Sequence, residues 1–159
     1  MRGSGFRRIG NWPKQLNNRL QEFLRYLEER RSDAGYVLRR DIDPLDLPSF
    51  LPGMMMIDRV KNDPGRDRPR YRYRLSGTEH RTRNGRELTG LWFDEVQPPD
   101  MIDELEQVFA EILDTGAVHY KLAYNTTSDN AYQMFERVLC PLSLDGRENS
   151  ILIGYYIWQ

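Results

Sequence analysis

The sequence predicts an α+β fold, in which helices cover one antiparallel sheet of five strands. Three observations favour this class. Residues 14–32 and 98–115 place apolar side chains at helical spacing. Residues 71–75 and 117–124 alternate apolar and polar side chains, which is typical of half-buried strands. The last part of the chain predicts three successive strands joined by short turns, an order that favours antiparallel pairing over a βαβ arrangement.

The composition is that of a single folded domain with a charged surface. The chain has 159 residues, which is the length of one domain. Its 23 basic and 24 acidic residues leave a net charge of −1, which excludes a globally basic nucleic-acid binder. Its 2 histidines and 1 cysteine are too few for a structural zinc site or an internal disulfide. Without a visible signal peptide or membrane-length apolar run, we expect a soluble cytoplasmic protein.

The first 35 residues are predicted to be a flexible N-terminus followed by one amphipathic helix. Residues 1–12 are rich in Gly and Arg, and we expect them to be mobile. The helix covers residues 14–32, with Pro13 in its first turn and Gly35 beyond its end. Its apolar stripe consists of Leu16, Leu20, Phe23, Leu24 and Leu27.

Residues 36–159 are predicted to form the sheet and its remaining helices. A connector rich in Pro and Asp covers residues 41–53 and ends in turns. Short helical turns are expected within residues 78–95, followed by the long helix at 98–115. The five predicted strands cover residues 54–57, 71–75, 117–124, 131–143 and 150–158.

The last predicted strand, residues 150–158, is apolar on both faces, so both faces of the sheet need cover. The helix at 14–32 has the only spare apolar stripe and should therefore pack on the outer face of the sheet. Because its stripe lies near heptad spacing, we also expect part of it to contact a second copy in a two-fold homodimer. The alternative is a monomer whose helix covers its own sheet completely.

The order of elements resembles the PAS fold, and four short motifs resemble a compact bacterial PAS family found mostly in alphaproteobacteria. The motifs are Asp41-Ile42-Asp43-Pro44 with Leu51-Pro52, YRYRLSGT at 71–78, GRELTG at 85–90 and PLSLDG at 141–146. PAS domains are sensor and interaction modules. The resemblance implies a stand-alone module that binds a small ligand between sheet and helices and signals by contact with an unidentified downstream protein.

The resemblance does not imply a cofactor. Flavin-binding PAS photoreceptors carry an Asn-Cys-Arg-like motif, whereas the matching residues 83–90 contain no cysteine. Haem-binding PAS domains place a histidine on the long helix, whereas residues 98–115 contain none. We therefore expect neither flavin nor haem, and we expect any ligand to be small, non-covalent and colourless.

Candidate ligand-binding residues are aromatic or lie near the short helices. Trp92, Tyr120 and Tyr155 are predicted to line a pocket, with His80 and Arg83 as polar partners. Strand parity separates the aromatic side chains into two faces without indicating which face lines the pocket. His80 has the alternative interpretation of a surface or capping histidine beside arginines. No catalytic or metal-binding residue is predicted.

Two other function classes stay open. A small-molecule enzyme of the isomerase or hydratase type would need a cavity Asp or Glu acting with a Tyr. A single-stranded RNA binder would use the basic stretch at residues 61–74, which is interleaved with Tyr71 and Tyr73. Strand parity turns both tyrosines toward the core, which argues against stacking on bases. His119 shares a strand face with Lys121, and we expect it to be solvated.

Overall fold

In a computed structural model of the protein, one six-stranded sheet has helices on both of its faces. The structure describes residues 5–126 and 132–159. The strands are β1 (Arg8–Gly10), β2 (Met54–Val60), β3 (Arg70–Ser76), β4 (Val118–Thr126), β5 (Tyr132–Ser143) and β6 (Asn149–Trp158). The helices are α1 (Asn18–Glu29), α2 (Thr78–Asn84), α3 (Phe93–Val96) and α4 (Pro99–Thr115). The predicted α+β class is confirmed.

The strands lie in the order β1-β4-β5-β6-β2-β3. Strands β2 to β6 pair in antiparallel fashion, as predicted, and β1 adds a short parallel edge strand beside β4. Residue 131, where the sequence predicts the fourth strand to begin, lies outside the described residues.

The expectation of a mobile N-terminus is wrong for residues 8–10, which form β1. The Val118 amide donates to the Arg7 carbonyl at 2.8 Å, and the Trp12 ring packs 5.6 Å from that of Tyr120. Gly10 has a φ of +89°, and a Cβ there would lie 2.5 Å from the Tyr120 carbonyl oxygen. A strand of three residues has no periodicity to detect, which is why the sequence pattern missed it. Residues 1–4 lie outside the described residues.

Helix α1 packs on the outer face of the sheet, as predicted. It begins after Asn17, whose side chain accepts from the Arg19 amide at 2.8 Å as an N-cap. Leu20, Phe23 and Leu27 are fully buried against the sheet, and Leu16 is also buried. Only Leu24 of the stripe is partly exposed. The stripe therefore serves mainly to cover the chain's own sheet.

The opposite face of the sheet is covered by α2, α3 and α4. Tyr73 of β3 and Phe109 of α4 pack with Phe93 of α3 in a second buried apolar cluster. Helix α4 ends at Gly116, whose φ of +73° lets its amide donate back to the Ile112 carbonyl.

Strand β6 supplies apolar side chains to both clusters, which explains its doubly apolar sequence. Ile153 and Tyr155 face α1, and Leu152 and Tyr156 face α2–α4. Within the described parts of the chain, no helix combines the length and apolar character needed to cross a membrane.

Candidate functional site

A cavity of about 100 Å³ lies between the sheet and helices α2–α4. This is room for about three water molecules, and it is less than the roughly 150 Å³ of an apolar cavity that binds benzene. Five strands and all three helices contribute to its wall, and most of its lining side chains are apolar. The apolar and aromatic ones include Met55, Ile57, Leu88, Phe93, Met101, Leu105, Phe109, Phe135, Tyr156 and Trp158.

His80 is the one predicted site residue that lines this cavity. It is fully buried, so the alternative of a surface histidine is wrong. Its Nε2 lies 3.0 Å from the Gly53 carbonyl oxygen and must carry the proton, because a carbonyl only accepts. Burial lowers the pKa of His80 to about 4, which keeps the ring neutral at pH 7. The Nδ1 atom is then an acceptor, and it has no hydrogen-bond partner among the described residues.

The position of His80 depends on the close approach of α2 to the turn before β2. Gly77 precedes α2, and a Cβ at this position would lie 2.2 Å from the Leu51 carbonyl oxygen and 2.3 Å from the Pro52 carbonyl oxygen. Because both oxygens belong to the backbone and cannot move aside, only glycine fits there. The packing holds the His80 ring 4.7 Å from that of Tyr156 and 6.1 Å from that of Trp158. The indole Nε1 of Trp158 is also buried without a partner among the described residues.

A cationic group lies at the β4–β5 side of the cavity, and the sequence patterns did not single it out. Arg137 is 2% exposed, and Lys121 is its direct neighbour across the β4–β5 ladder. Both side chains line the cavity. Burial lowers the pKa of both groups, and for Lys121 the Arg137 charge lowers it further. The signal that could have identified this group is a charged residue at an inward-facing position of each of two neighbouring strands.

His119 is joined to this cationic group, so the expectation that it is solvated is wrong. It is half-buried, and its Nδ1 accepts from Arg137 Nη1 at 2.9 Å. Since a guanidinium only donates, His119 must be neutral with its proton on Nε2. Burial and the neighbouring Arg137 and Lys121 lower the pKa of His119 to about 4, in agreement with this tautomer.

The cavity adjoins a groove along β4. Leu105, Lys121 and Arg137 line both the cavity and the groove, and His119 lines the groove alone. The cationic group is therefore within reach of small molecules that enter along the groove.

Three predicted pocket residues do not line this cavity. Tyr155 faces α1 and stacks 5.6 Å from Phe23. Tyr120 also faces the α1 side, where its hydroxyl donates to Glu136 at 2.8 Å. Tyr120 and Tyr155 lie outside this cavity because the parity of β4 and β6 turns their alternate neighbours, Lys121 and Tyr156, toward it.

Trp92 lies beside β3, with the Arg70 guanidinium 4.2 Å and the Arg72 guanidinium 5.2 Å from its ring centroid. It is thus part of a cation–π stack outside the cavity. Arg83 is partly buried and lies 5.3 Å from the centroid of the Trp158 ring. It contacts a lining residue without lining the cavity itself.

The cavity wall offers little for acid–base or nucleophilic chemistry. None of the described side chains that line it is Asp or Glu. Cys140 is buried on the α1 side of the sheet, where burial raises the pKa of its thiol. Glu106 of α4 is buried outside the cavity, 3.6 Å from Arg66 and 3.7 Å from Arg68. The described residues contain no cluster of three or more potential metal ligands.

The basic stretch does not have the form of a nucleic-acid interface. Tyr71 and Tyr73 are each 2% exposed, so they cannot stack on bases, as strand parity predicts. Acidic side chains neutralise most of the neighbouring arginines. The pairs are Arg59–Asp114, Arg66–Asp94, Arg68–Asp103, Arg70–Asp94 and Arg74–Asp58.

One protein-family model matches this chain. A family model described as a PAS domain matches residues 16–157, nearly the whole chain. No match was found among the curated proteins. The chain is similar to a solved structure described as an RNA-binding Light-Oxygen-Voltage receptor, with 17% sequence identity and a TM-score of 0.46. The similarity covers 73% of this chain and 33% of that one, so it spans about a third of the receptor.

Proposed function

The chain belongs to the PAS domain family, and we propose that it is a sensory module that binds a small ligand in the cavity beneath α2–α4. The observation that carries this proposal is a pair of buried polar atoms there, His80 Nδ1 and Trp158 Nε1, which have no hydrogen-bond partner within residues 5–126 and 132–159. Buried polar atoms in native proteins nearly always have a partner, and each unsatisfied one requires an explanation. A ligand with both hydrogen-bonding and apolar groups supplies the missing partners and fills the space.

We propose that the module binds its ligand without converting it. The described cavity wall holds no carboxylate, and its buried histidine uses its only proton on the Gly53 carbonyl. A neutral imidazole with a pKa of about 4 is a weak base near neutral pH. These features favour recognition over the isomerase or hydratase chemistry that would need a cavity Asp or Glu.

We propose that the signal leaves through the outer side of β4. Lys121, Ala123 and Tyr124 line the cavity, whereas Leu122 does not, and the side chains of Leu122 and Tyr124 are 55% and 69% exposed. A ligand and a docked protein would thus contact adjacent residues of one strand. Exposed apolar side chains of this size are typical of contact surfaces.

The homodimer along α1 stays a prediction. Most of the α1 stripe is buried against the sheet of the same chain, so a second copy would contact Leu24 and the polar side of the helix.

The test of ligand binding is mass spectrometry of the small molecules released from the full chain after native purification. Ala123→Phe fills the cavity from β4, and the matched control Leu122→Phe adds its ring on the exposed face of the same strand. We expect a small molecule from the native chain and from Leu122→Phe, and none from Ala123→Phe. A bound molecule that survives Ala123→Phe, or no molecule from the native chain, would contradict the proposal.

A further inference from the structure

Arg137 is a buried cation for which the described chain provides no anionic partner. It is 2% exposed, and its guanidinium donates to His119 Nδ1 at 2.9 Å and to the His119 carbonyl at 3.4 Å. It also interacts with the Tyr156 hydroxyl. All of these acceptors are uncharged. No carboxylate among the described residues forms an ion pair with it or contributes to its electrostatic environment.

Another arginine of the same sheet shows the usual arrangement. The Arg59 side chain is 5% exposed, and its Nη1 donates to Asp114 Oδ1 at 2.7 Å. A buried charge without such a partner is costly. Arg137 differs from Arg59 in two respects. It has no carboxylate partner among the described residues, and it lines a cavity.

The neighbours of Arg137 increase the positive potential. Lys121 lies directly opposite on β4 and lines the same cavity. The Glu104 carboxylate of α4 lines the adjoining groove and raises the pKa of Lys121, so it offsets part of the Lys121 charge. His119 is held neutral by the hydrogen bond that it accepts. The cavity therefore presents two cationic side chains and no lining carboxylate among its described residues.

The cavity also has an apolar wall, to which Leu88, Phe93 and Phe109 contribute. His80 lines the same cavity, and its fully buried Nδ1 is an acceptor without a partner among the described residues. A ligand that fits this lining has an anionic head for the cations, a short apolar body for the wall and a hydrogen-bond donor for His80 Nδ1.

We infer that the ligand of this cavity is a small monocarboxylate whose carboxylate pairs with Arg137 beside Lys121 and whose apolar body lies against α3 and α4. The inference rests on the proposed function, because it names the ligand class of the same cavity. A carboxylate matches the planar guanidinium and can accept two hydrogen bonds from it. The limited volume excludes extended anions, and the apolar remainder of the wall disfavours a second buried charge.

The experiment compares acids with their uncharged amides on the full chain by calorimetry. Propionate and butyrate are the carboxylate probes, and propionamide and butyramide have nearly the same shape without the charge. We expect each carboxylate to bind at least about tenfold more tightly than its amide. This preference for the carboxylate should disappear in Arg137→Met. The control is Arg59→Met, which removes the buried arginine that pairs with Asp114 and should leave the preference unchanged.

Arg137→Met removes an uncompensated buried charge, so the folded chain is expected to survive it. Lys121→Met, at a half-buried position, provides a second variant and should weaken carboxylate binding by a smaller factor. Equal affinity for carboxylates and amides in the native chain would overturn the inference, as would a carboxylate preference unchanged in Arg137→Met.

The outcomes distinguish this inference from the proposed function. Binding of the amides that Ala123→Phe abolishes would keep the cavity as the ligand site and reject the anionic ligand. If neither series binds, the monocarboxylate is rejected, and the molecule released from the native chain independently decides whether the cavity binds any ligand.

Discussion

The two faces of the sheet differ in how they bury their residues. On the α1 face, Phe23 packs between Phe50 and Tyr155, and the cluster consists of apolar side chains and a buried thiol. On the α2–α4 face, the apolar cluster adjoins a cavity lined by a neutral histidine and by Arg137, which has no carboxylate partner in the part of the chain that the structure describes. The core beneath α1 is apolar, whereas the α2–α4 face combines its apolar core with a cavity lined by buried polar groups.

This difference indicates a division of roles between the faces. Burial of apolar surface is the main favourable contribution to folding, and the α1 face supplies it without polar cost. Buried polar groups without partners oppose folding, and natural proteins retain them mainly at functional sites. We therefore expect substitutions on the α1 face to change stability, and substitutions around the cavity to change ligand binding and pH dependence.

The largest effect is expected from Phe23→Ala on the α1 face. Phe23 is fully buried and contacts two aromatic rings, so its removal leaves a cavity and should cost about 3–5 kcal/mol of unfolding free energy. Urea denaturation measures this loss. The control Leu122→Ala removes a side chain that is 55% exposed and should change stability by about 0.5 kcal/mol or less. Similar losses of unfolding free energy in the two variants would contradict the view that burial on the α1 face stabilises the fold.

A pH dependence is expected from the cavity face. The pKa of His80 is about 4 in the folded chain against 6.5 when unperturbed, because burial disfavours the charged ring. Above pH 6.5 the ring is neutral in both states. As the pH falls from 6.5 to 4, the unfolded chain takes up a proton that the folded chain does not, so stability falls by about 3 kcal/mol. His119 acts in the same direction.

The variant His80→Gln tests this origin, because its amide can still donate to Gly53 but does not titrate. Urea denaturation at a series of pH values should give a flatter decline between pH 6.5 and 4 than in the native chain. An equal slope in both chains would show that His80 is not the group responsible.

A smaller loss is expected from Gly154→Ala on β6. A Cβ at this position would lie 2.5 Å from Leu139 Cδ2, and Leu139 is only 1% exposed. Since this methyl has little space into which to move, the substitution should cost about 1–3 kcal/mol. Leu139→Val in the same chain shortens the clashing side chain, so the two costs should not add in denaturation measurements. Strictly additive costs would mean that the clash is relieved elsewhere.

The smallest change in stability is expected from Leu24→Glu, at the only partly exposed position of the α1 stripe. We expect a loss of about 1 kcal/mol or less. Light scattering at about tens of micromolar, the working range for interfaces of standard size, tests the dimer in the same sample. A dimeric native chain that becomes monomeric in Leu24→Glu would support a seam along α1. A monomeric native chain, or a dimer unchanged by the substitution, would rule that seam out.

The sequence by itself determined most of the elements, β1 excepted, and much of their packing. Periodicity predicted the helix at 98–115 and the half-buried strand at 71–75, because a side chain's face follows directly from its position in a helix or strand. The two apolar faces of residues 150–158 predicted that both sides of the sheet are covered. The same local rule predicted that Tyr71 and Tyr73 point into the core.

Only the tertiary structure decided which face contains the cavity. Parity separates Tyr155 from Tyr156 but does not say which of them meets α1, because that depends on the helix packed above the strand. The contact of Arg137 with His119 is set by the register of β4 against β5, a pairing across many residues of chain. Local patterns contain no information on that pairing, so the candidate site became visible only once the strands were placed side by side.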